Sequence, residues 1–191
     1  SSPKQFYKGF DLGWYPIIKG LDVKRRLIDT VIDDVILKSY SDGSTISELY
    51  VIKAEAGAGK TVFLRRLAWE AANHADVTCL FIKNNTSTIN FESIRELYRL
   101  TKERIFVFAD AAADNISLIL FLLEKARNHE IPITIITAVR VNEWNMSCDK
   151  LTQYVSNAYT LRYLSENEIL GLIKLLEKHD ALGPNLRVNA L

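Results

Sequence analysis

The feature that most constrains the fold is a series of short apolar segments separated by longer stretches of helical periodicity. The apolar segments are nearly continuous, as expected for strands that are covered on both faces of a parallel sheet. They occupy residues 49–53, 77–82, 105–109 and 133–139, with a weaker fifth at 159–163. Helical patterns occupy residues 60–73, 91–102 and 116–128. The alternation predicts an α/β fold, a three-layer α/β/α sandwich around a mostly parallel five-stranded sheet.

Helical patterns also flank this series on both sides. Apolar residues recur every three or four positions from Asp22 to Tyr40, and Asp22 is placed to cap this amphipathic helix. A last helical pattern covers residues 166–179, and Ser165 with Glu168 forms a capping box at its start. We therefore expect one helix before the sheet and another after it.

Composition excludes several classes of protein. The 24 Lys and Arg residues oppose 23 Asp and Glu residues, so the formal net charge of +1 gives no chain-wide attraction to nucleic acid or to an anionic membrane. The longest apolar run, residues 131–139, is too short to span a bilayer. Cys79 and Cys148 lack any C-x-x-C partner, and no signal segment opens the chain. We expect a soluble, cytoplasmic protein without a membrane partner.

A glycine-rich segment, residues 54–61, lies between the first predicted strand and the first predicted helix. It reads Ala-Glu-Ala-Gly-Ala-Gly-Lys-Thr and matches the P-loop pattern G-x-x-x-x-G-K-[ST], except that Ala54 replaces the first glycine. Phosphate oxygens need many donors at close range. Gly57 and Gly59 let the backbone N–H groups curl inward, where a Cβ would collide. The segment therefore predicts a polyphosphate-binding loop.

Side chains at the end of this segment complete the predicted phosphate site. Lys60 is expected to reach the β- and γ-phosphates, and Thr61 to offer its hydroxyl to Mg²⁺. The following helix adds the positive end of its dipole. The expected nucleotide-binding residues are Glu55, Ala56, Gly57, Ala58, Gly59, Lys60, Thr61 and Val62. A glycine-rich turn without function is the alternative, and the position between a strand and a helix favours the P-loop.

A carboxylate ends the third predicted strand. Asp110 follows the apolar run, and the end of a parallel strand lies at the carboxyl edge of the sheet, beside the P-loop. We interpret Asp110 as the Walker B aspartate, which holds Mg²⁺. Hydrolysis usually needs a further carboxylate to orient the attacking water, but the next residue is Ala111. Asp114 is available for this role, but Asp114-Asn115 directly precedes an apolar helix and is at least as well placed to cap it, so we expect slow turnover.

The fourth predicted strand ends in Thr-Ala-Val-Arg. Thr137 or Arg140 is placed to sense the γ-phosphate, Arg140 by forked donation to the phosphate oxygens. Arg140 is equally well placed to pair with Glu143 or Asp149 on the surface. Both interpretations of Arg140 stay open at this point.

The order of these motifs resembles a known family. Walker A, Walker B and then T-A-V-R at the end of the next strand look like the STAND branch of the AAA-like P-loop ATPases, which includes NOD- and NACHT-related proteins. The opening F-Y-K-G-F-D-L-G-W-Y-P-I-I-K-G-L-D-V-K-R-R and the later V-R-V-N-E-W-N resemble prokaryotic STAND modules. Such modules occur in bacterial antiphage proteins, often joined to sirtuin-like or nuclease effectors. The resemblance implies an ASCE/AAA-like core that binds ATP or ADP with Mg²⁺.

The resemblance also implies roles and partners. Lys60 and Thr61 would bind phosphate and Mg²⁺, Asp110 the metal, and Arg140 would act as sensor, while residues 7–14 would lie near the base. In this family an ADP-bound resting form opens on target recognition, exchanges for ATP and oligomerises to turn on an effector. We therefore expect self-oligomerisation of the full-length protein and fused effector and sensor domains outside this sequence, without a direct nucleic-acid partner.

Together these interpretations divide the chain into three parts. Residues 1–45 are an aromatic segment and amphipathic helix that belong to the nucleotide-binding domain. Residues 46–164 are the P-loop NTPase core, and residues 165–191 start a helical lid that we expect to be truncated. The leading hypothesis is a nucleotide-dependent switch with weak, Mg²⁺-dependent ATPase activity in a larger sensor, of the kind used in antiphage defence.

Three alternatives are weighed against this hypothesis. A non-hydrolysing nucleotide-binding scaffold is favoured by Ala111. An initiator-type DNA-associated ATPase shares the core, but the near-neutral charge gives it little support. A small-molecule kinase is disfavoured because no Arg-rich lid is evident in the sequence.

Overall fold

The computed structural model describes residues 2–41, 46–82, 86 and 88–183. It divides the chain into two compact units. One unit is Arg26–Tyr163, and the other comprises the residues before Arg26 together with those after Tyr163. The last residues of the expected lid, 184–191, lie outside the described part.

The larger unit is built on a sheet whose described strands all pair in parallel. The strands are β1 (Glu48–Ala54), β2 (Cys79–Ile82), β3 (Ile105–Ala109), β4 (Ile133–Arg140) and β5 (Val155–Leu161). Among the described residues they form one five-stranded sheet in the order β2-β3-β4-β1-β5. The predicted α/β class with its mostly parallel five-stranded sheet is confirmed.

Helices follow or precede each strand. In chain order they are α1 (Pro3–Tyr7), α2 (Tyr15–Ile18), α3 (Arg26–Val31), α4 (Lys38–Ser41), α5 (Lys60–His74), α6 (Phe91–Thr101), α7 (Ile116–Asn128), α8 (Val141–Ser147), α9 (Asp149–Thr152) and α10 (Glu166–Lys178). A π-helical stretch, Ile32–Leu37, joins α3 to α4. The short helices α1, α2, α8 and α9 were not expected from the sequence, because fewer than two turns show no clear period.

The first predicted amphipathic helix begins later than its pattern suggests. It starts at Arg26, so the prediction that Asp22 caps it is wrong. Val23 fits the helical spacing, but its side chain lies beside Gly171 of α10 in the same unit. A Cβ added to Gly171 would lie 3.6 Å from Val23 Cγ1. Val23 therefore packs within the smaller unit and is not part of the helix that its spacing suggested.

Alternation along the strands produces two buried layers, one on each face of the sheet. Leu49 and Val51 of β1 belong to a core formed with α6, α7, α8 and α9. Tyr50 and Ile52 belong to a second core formed with α3 and α5. Successive side chains of a strand point to opposite faces, so continuous apolar runs are needed to fill both cores. The resulting order of helices, sheet and helices is the predicted three-layer sandwich.

The smaller unit contains α1, α2 and α10. The Tyr7 hydroxyl donates to the Leu21 carbonyl at 2.9 Å, and Arg25 Nε lies 3.2 Å from Glu168 Oε2. The predicted capping box at the start of α10 is present, because Ser165 and Glu168 accept from each other's backbone N–H groups. Within the described parts of both units, no helix is long and apolar enough to cross a membrane.

A buried polar cluster ties the amino-terminal ends of β1 and β4 to the residue before β3. Arg104 is 6% exposed, and its Nη1 donates to Thr134 Oγ1 at 3.0 Å and lies 3.5 Å from Glu48 Oε2. The Ser39 hydroxyl donates to Glu48 Oε2 at 2.9 Å, and the Tyr50 hydroxyl donates to Glu48 Oε1 at 3.2 Å. Burial, followed by the Glu48 charge, raises the pKa of Tyr50. Glu48 is therefore the shared acceptor of this cluster.

Replacing Glu48 by alanine is expected to lower the free energy of unfolding by about 2–3 kcal/mol, because Arg104 then loses a carboxylate inside the protein. Urea denaturation measures this change. Glu96→Ala is the matched control, since it removes a shorter ion pair, 2.7 Å to Arg99, that is exposed on α6. It should cost little. Equal losses for the two variants would show that burial does not set the contribution of Glu48.

Candidate functional site

The P-loop segment forms a turn between the last residue of β1, Ala54, and the first residue of α5, Lys60. Gly57 has φ 79° and Gly59 has φ 84°, both in the left-handed region that residues with a Cβ avoid. A Cβ added at either position would meet nothing within 4 Å. The expectation that a Cβ collides there is therefore wrong for the protein itself. Glycine is needed at these positions for backbone conformation.

Backbone hydrogen bonds close this turn and join it to α5. The Ala58 N–H donates to the Glu55 carbonyl at 3.3 Å, and the Phe63 N–H donates to the Gly59 carbonyl at 2.9 Å. The N–H groups at the start of an α-helix have no partner within the helix and carry its positive dipole end. Such a cradle fits an anion with several oxygens.

The expected nucleotide-binding residues all lie on this turn or on the first turn of α5. Glu55, Ala56, Gly57 and Gly59 are exposed, Ala58 is buried, and Lys60, Thr61 and Val62 are partly buried. The structure thus brings the residues together on one turn, with Lys60 as the first residue of α5.

Thr61 and Asp110 meet across the sheet edge. The Thr61 hydroxyl donates to Asp110 Oδ2 at 2.5 Å, and Asp110, directly after β3, is 6% exposed. A hydroxyl and a carboxylate are the hard oxygen ligands that Mg²⁺ prefers. The pair lies at the first turn of α5, directly after the glycine-rich turn. The donor set therefore fits a magnesium–nucleotide complex.

The turn after Asp110 has an unusual conformation. Ala111 has φ 50°, and its N–H donates to Asp110 Oδ1 at 2.9 Å. Asn115 Nδ2 donates to the Asp110 carbonyl at 2.8 Å and to the Ala111 carbonyl at 3.2 Å. Asn115 occupies the N-cap position of α7, so the alternative that Asp114 caps this helix is wrong. Asp114 lies exposed in the short 3₁₀ turn Ala112–Asp114.

The end of β4 brings one of its two expected sensor residues to the surface. Arg140 is the last residue of β4, pairs in register with Ala54, and its side chain is 50% exposed. Its Nη1 lies 3.3 Å from Glu143 Oε1, the surface pairing considered above. Thr137 is fully buried three residues earlier, and its hydroxyl donates to the Ala109 carbonyl at 2.6 Å. The Thr137 hydroxyl is thus engaged inside the sheet.

Two contacts of the site were missed by sequence reasoning. Asn115 was taken only as one of two helix-capping choices, although an Asn before an apolar helix also bonds to nearby carbonyls. Tyr163 was assigned to the fifth strand, but β5 ends at Leu161. Tyr163 is 64% exposed, and its hydroxyl donates to the Ala56 carbonyl of the P-loop turn at 3.2 Å. No spacing signal links Tyr163 to Ala56.

Two solved structures of other proteins share this architecture. PCH-2 of C. elegans aligns with a TM-score of 0.56 and 15% identity, over 85% of this chain and 51% of that one. The Thermotoga maritima RuvB Holliday junction branch migration motor aligns with a TM-score of 0.52 and 14% identity, over 83% of this chain and 52% of that one. The chain spans about half the length of either protein. At this identity the likeness shows the fold alone.

The fold and the glycine-rich turn define a nucleotide-binding NTPase module of the P-loop class. The family model described as Novel STAND NTPase 5 matches residues 4–152, which is most of the chain. The chain belongs to this family, and the resemblance to STAND ATPases is confirmed. No curated protein matches the sequence.

Replacing Gly57 by alanine is expected to lower the free energy of unfolding by about 1 kcal/mol, because a Cβ disfavours its left-handed backbone. Urea denaturation of the purified chain provides the measurement. Gly171→Ala, in the middle of α10, is the control and should raise the free energy of unfolding by about 0.5 kcal/mol, because alanine is the better helix former. A gain of stability from Gly57→Ala would contradict the assigned backbone strain.

Proposed function

We propose that this chain is the ATP- and ADP-binding switch of a larger STAND sensor and hydrolyses ATP slowly with Mg²⁺. The observation that carries the proposal is the contact of the Thr61 hydroxyl with the Asp110 carboxylate beside the glycine-rich turn. Family membership supports the nucleotide-dependent chemistry. A turn that merely connected β1 to α5 would not need a buried carboxylate at its helical end.

Each residue of the site has a distinct task in this proposal. Backbone N–H groups between Gly57 and Thr61 cradle the phosphates, apart from that of Ala58, which donates to the Glu55 carbonyl. Lys60 donates to the β- and γ-phosphate oxygens. Thr61 and Asp110 would hold Mg²⁺, which neutralises charge on those oxygens when it is bound. Because Asp110 is already aligned by Thr61, little reorganisation is needed on binding.

Slow turnover follows from the residues after Asp110. An attacking water needs a carboxylate or amide that orients it. Ala111 supplies neither, and Asp114 lies exposed on the 3₁₀ turn. We assign Asp114 the weaker role of orienting water from that turn, which is consistent with a low rate.

Arg140 is proposed as the sensor of the γ-phosphate. Its half-exposed guanidinium pairs with Glu143. An ion pair at the surface contributes little to stability, so another anion can readily replace Glu143. A γ-phosphate would compete with Glu143 for the forked donors of Arg140, whereas ADP would leave the pair intact. The pairing and the sensing interpretations of Arg140 then describe two nucleotide states.

The wider biology is proposed from the family. We infer that ATP binding drives self-oligomerisation of the full-length protein and turns on a fused effector, with target recognition by a further domain. We place this in the cytoplasm and in antiphage defence, as the STAND resemblance suggests. Similar solved chains are about twice as long as the part aligned here, which leaves room for such elements in a longer protein.

A non-hydrolysing scaffold is the second candidate function, favoured by Ala111. In that case ATP or ADP would be held as a structural ligand. The distinction is kinetic, since both functions use the same cradle and differ only in phosphate release.

Replacing Lys60 by alanine is expected to weaken ATP and ADP binding at least about tenfold, because a charge-assisted bond to phosphate is lost. Calorimetry with Mg²⁺ measures the affinity, and a phosphate assay measures turnover. Lys150→Ala, which removes an exposed lysine on α9, is the control and should bind normally. Unchanged binding by Lys60→Ala would contradict the cradle. Normal wild-type binding without phosphate release would favour the scaffold.

Replacing Arg140 by alanine is expected to lower the preference for ATP over ADP by about tenfold, because only ATP offers the third phosphate. Glu143→Ala provides the matched opposite change, since it frees the guanidinium and should raise that preference. The ratio of the two dissociation constants, measured by calorimetry with Mg²⁺, is the readout. A ratio that neither variant alters would remove Arg140 from the site.

A further inference from the structure

The turn between β3 and α7 holds a residue in a conformation that its side chain disfavours. Ala111 has φ 50°, and for a residue with a Cβ this left-handed backbone is unfavourable. On its far side, Ala112 is fully buried within a hydrophobic core. Relaxation of Ala111 would therefore disturb Asp110, because the Ala111 N–H donates to Asp110 Oδ1 at 2.9 Å.

Asn115 is the side chain that opposes this relaxation. Both hydrogens of its amide are used within the turn, at 2.8 Å to the Asp110 carbonyl and at 3.2 Å to the Ala111 carbonyl. Its own backbone carbonyl accepts from the Ile119 N–H at 2.9 Å, which anchors Asn115 to the first turn of α7. The helix thus holds the backbone on both sides of the strained residue.

We propose that Asn115 is a positioning residue that fixes the Asp110 carboxylate for Mg²⁺, an inference that rests on the proposed function. The two oxygens of Asp110 are already divided: Oδ1 accepts from the Ala111 N–H at 2.9 Å, and Oδ2 accepts from the Thr61 hydroxyl. The first of these bonds depends on the Ala111 backbone, which Asn115 holds. Substitution of Asn115 is therefore expected to change the conformation of the turn and, through it, the position of the Asp110 carboxylate.

The arrangement also explains why an alanine serves after the aspartate. A large side chain is not required at position 111, because the local geometry is imposed by the amide of Asn115. Glycine at this position would adopt the left-handed conformation without strain and would depend less on that amide. This difference gives the proposal a compensating variant.

The test is the gain in ATP affinity that Mg²⁺ produces, measured by calorimetry as the ratio of dissociation constants in EDTA and in Mg²⁺. Asn115→Ala is expected to reduce this gain by about tenfold, the usual effect of removing a group that orients a metal ligand. The dissociation constant in EDTA should not change, because the cradle and Lys60 are untouched. Asn115→Ser still favours a helix start, but its side chain is too short to reach both carbonyls. It should reduce the gain as much as Asn115→Ala does.

Two further variants separate positioning from general stability. The double variant Asn115→Ala with Ala111→Gly is expected to recover most of the Mg²⁺ gain, because glycine keeps the turn left-handed unaided. Asn90→Ala removes the N-cap asparagine of another helix, α6, where Asn90 Oδ1 accepts from the Glu92 N–H at 3.0 Å. It should lower thermal stability and leave the Mg²⁺ gain intact.

The outcomes distinguish the two proposals. If the wild-type protein gains no ATP affinity from Mg²⁺, the proposed metal site is wrong and the role of Asn115 falls with it. If Mg²⁺ raises the ATP affinity of Asn115→Ala and Asn115→Ser as much as that of the wild-type protein, only the role of Asn115 is overturned. Loss of the gain with recovery in the double variant supports it, and loss without recovery overturns positioning through Ala111.

Discussion

The contact between Thr61 and Asp110 is the constraint on which the site depends. It joins the helix that follows β1 to the end of β3, although β4 lies between these two strands in the sheet. Such a bridge is stable only where both strands end at the same edge and are buried from both faces. The two hydrophobic cores, one on each side of the sheet, therefore position the site as directly as the glycine-rich turn does.

Around this contact, several residues have left-handed backbone, and they lie next to the groups that would bind phosphate and metal. Gly57 and Gly59 supply left-handed backbone at no steric cost, whereas Ala111 adopts it against its preference and is held by Asn115. Strain of this kind persists only when the surroundings impose it. The strained backbone of Ala111 lies next to the buried Asp110 carboxylate. Together with membership of an NTPase family, this position links the turn to nucleotide binding.

Much of the fold was predictable because central strands and long helices leave strong patterns. The range of β3, Ile105–Ala109, agrees with its apolar run, and α7 agrees with its helical period. The edge strand β5 was placed too late, because most of its residues are exposed and carry no apolar signal. The residues before Arg26 were misread where Val23 continued a helical spacing that belongs to other packing.

The sequence by itself determined the class of the protein, since a glycine-rich motif at a strand–helix junction is local and readable. It also predicted the position of Asp110, because a carboxylate that ends a buried parallel strand lies at the carboxyl edge of the sheet. Only the tertiary structure decided that Thr137 is engaged inside the sheet, that Arg140 pairs with Glu143, and that Asn115 and Tyr163 contact the site's loops. Hydrogen bonds between separate segments depend on how the strands and helices pack, and no spacing along the chain records them.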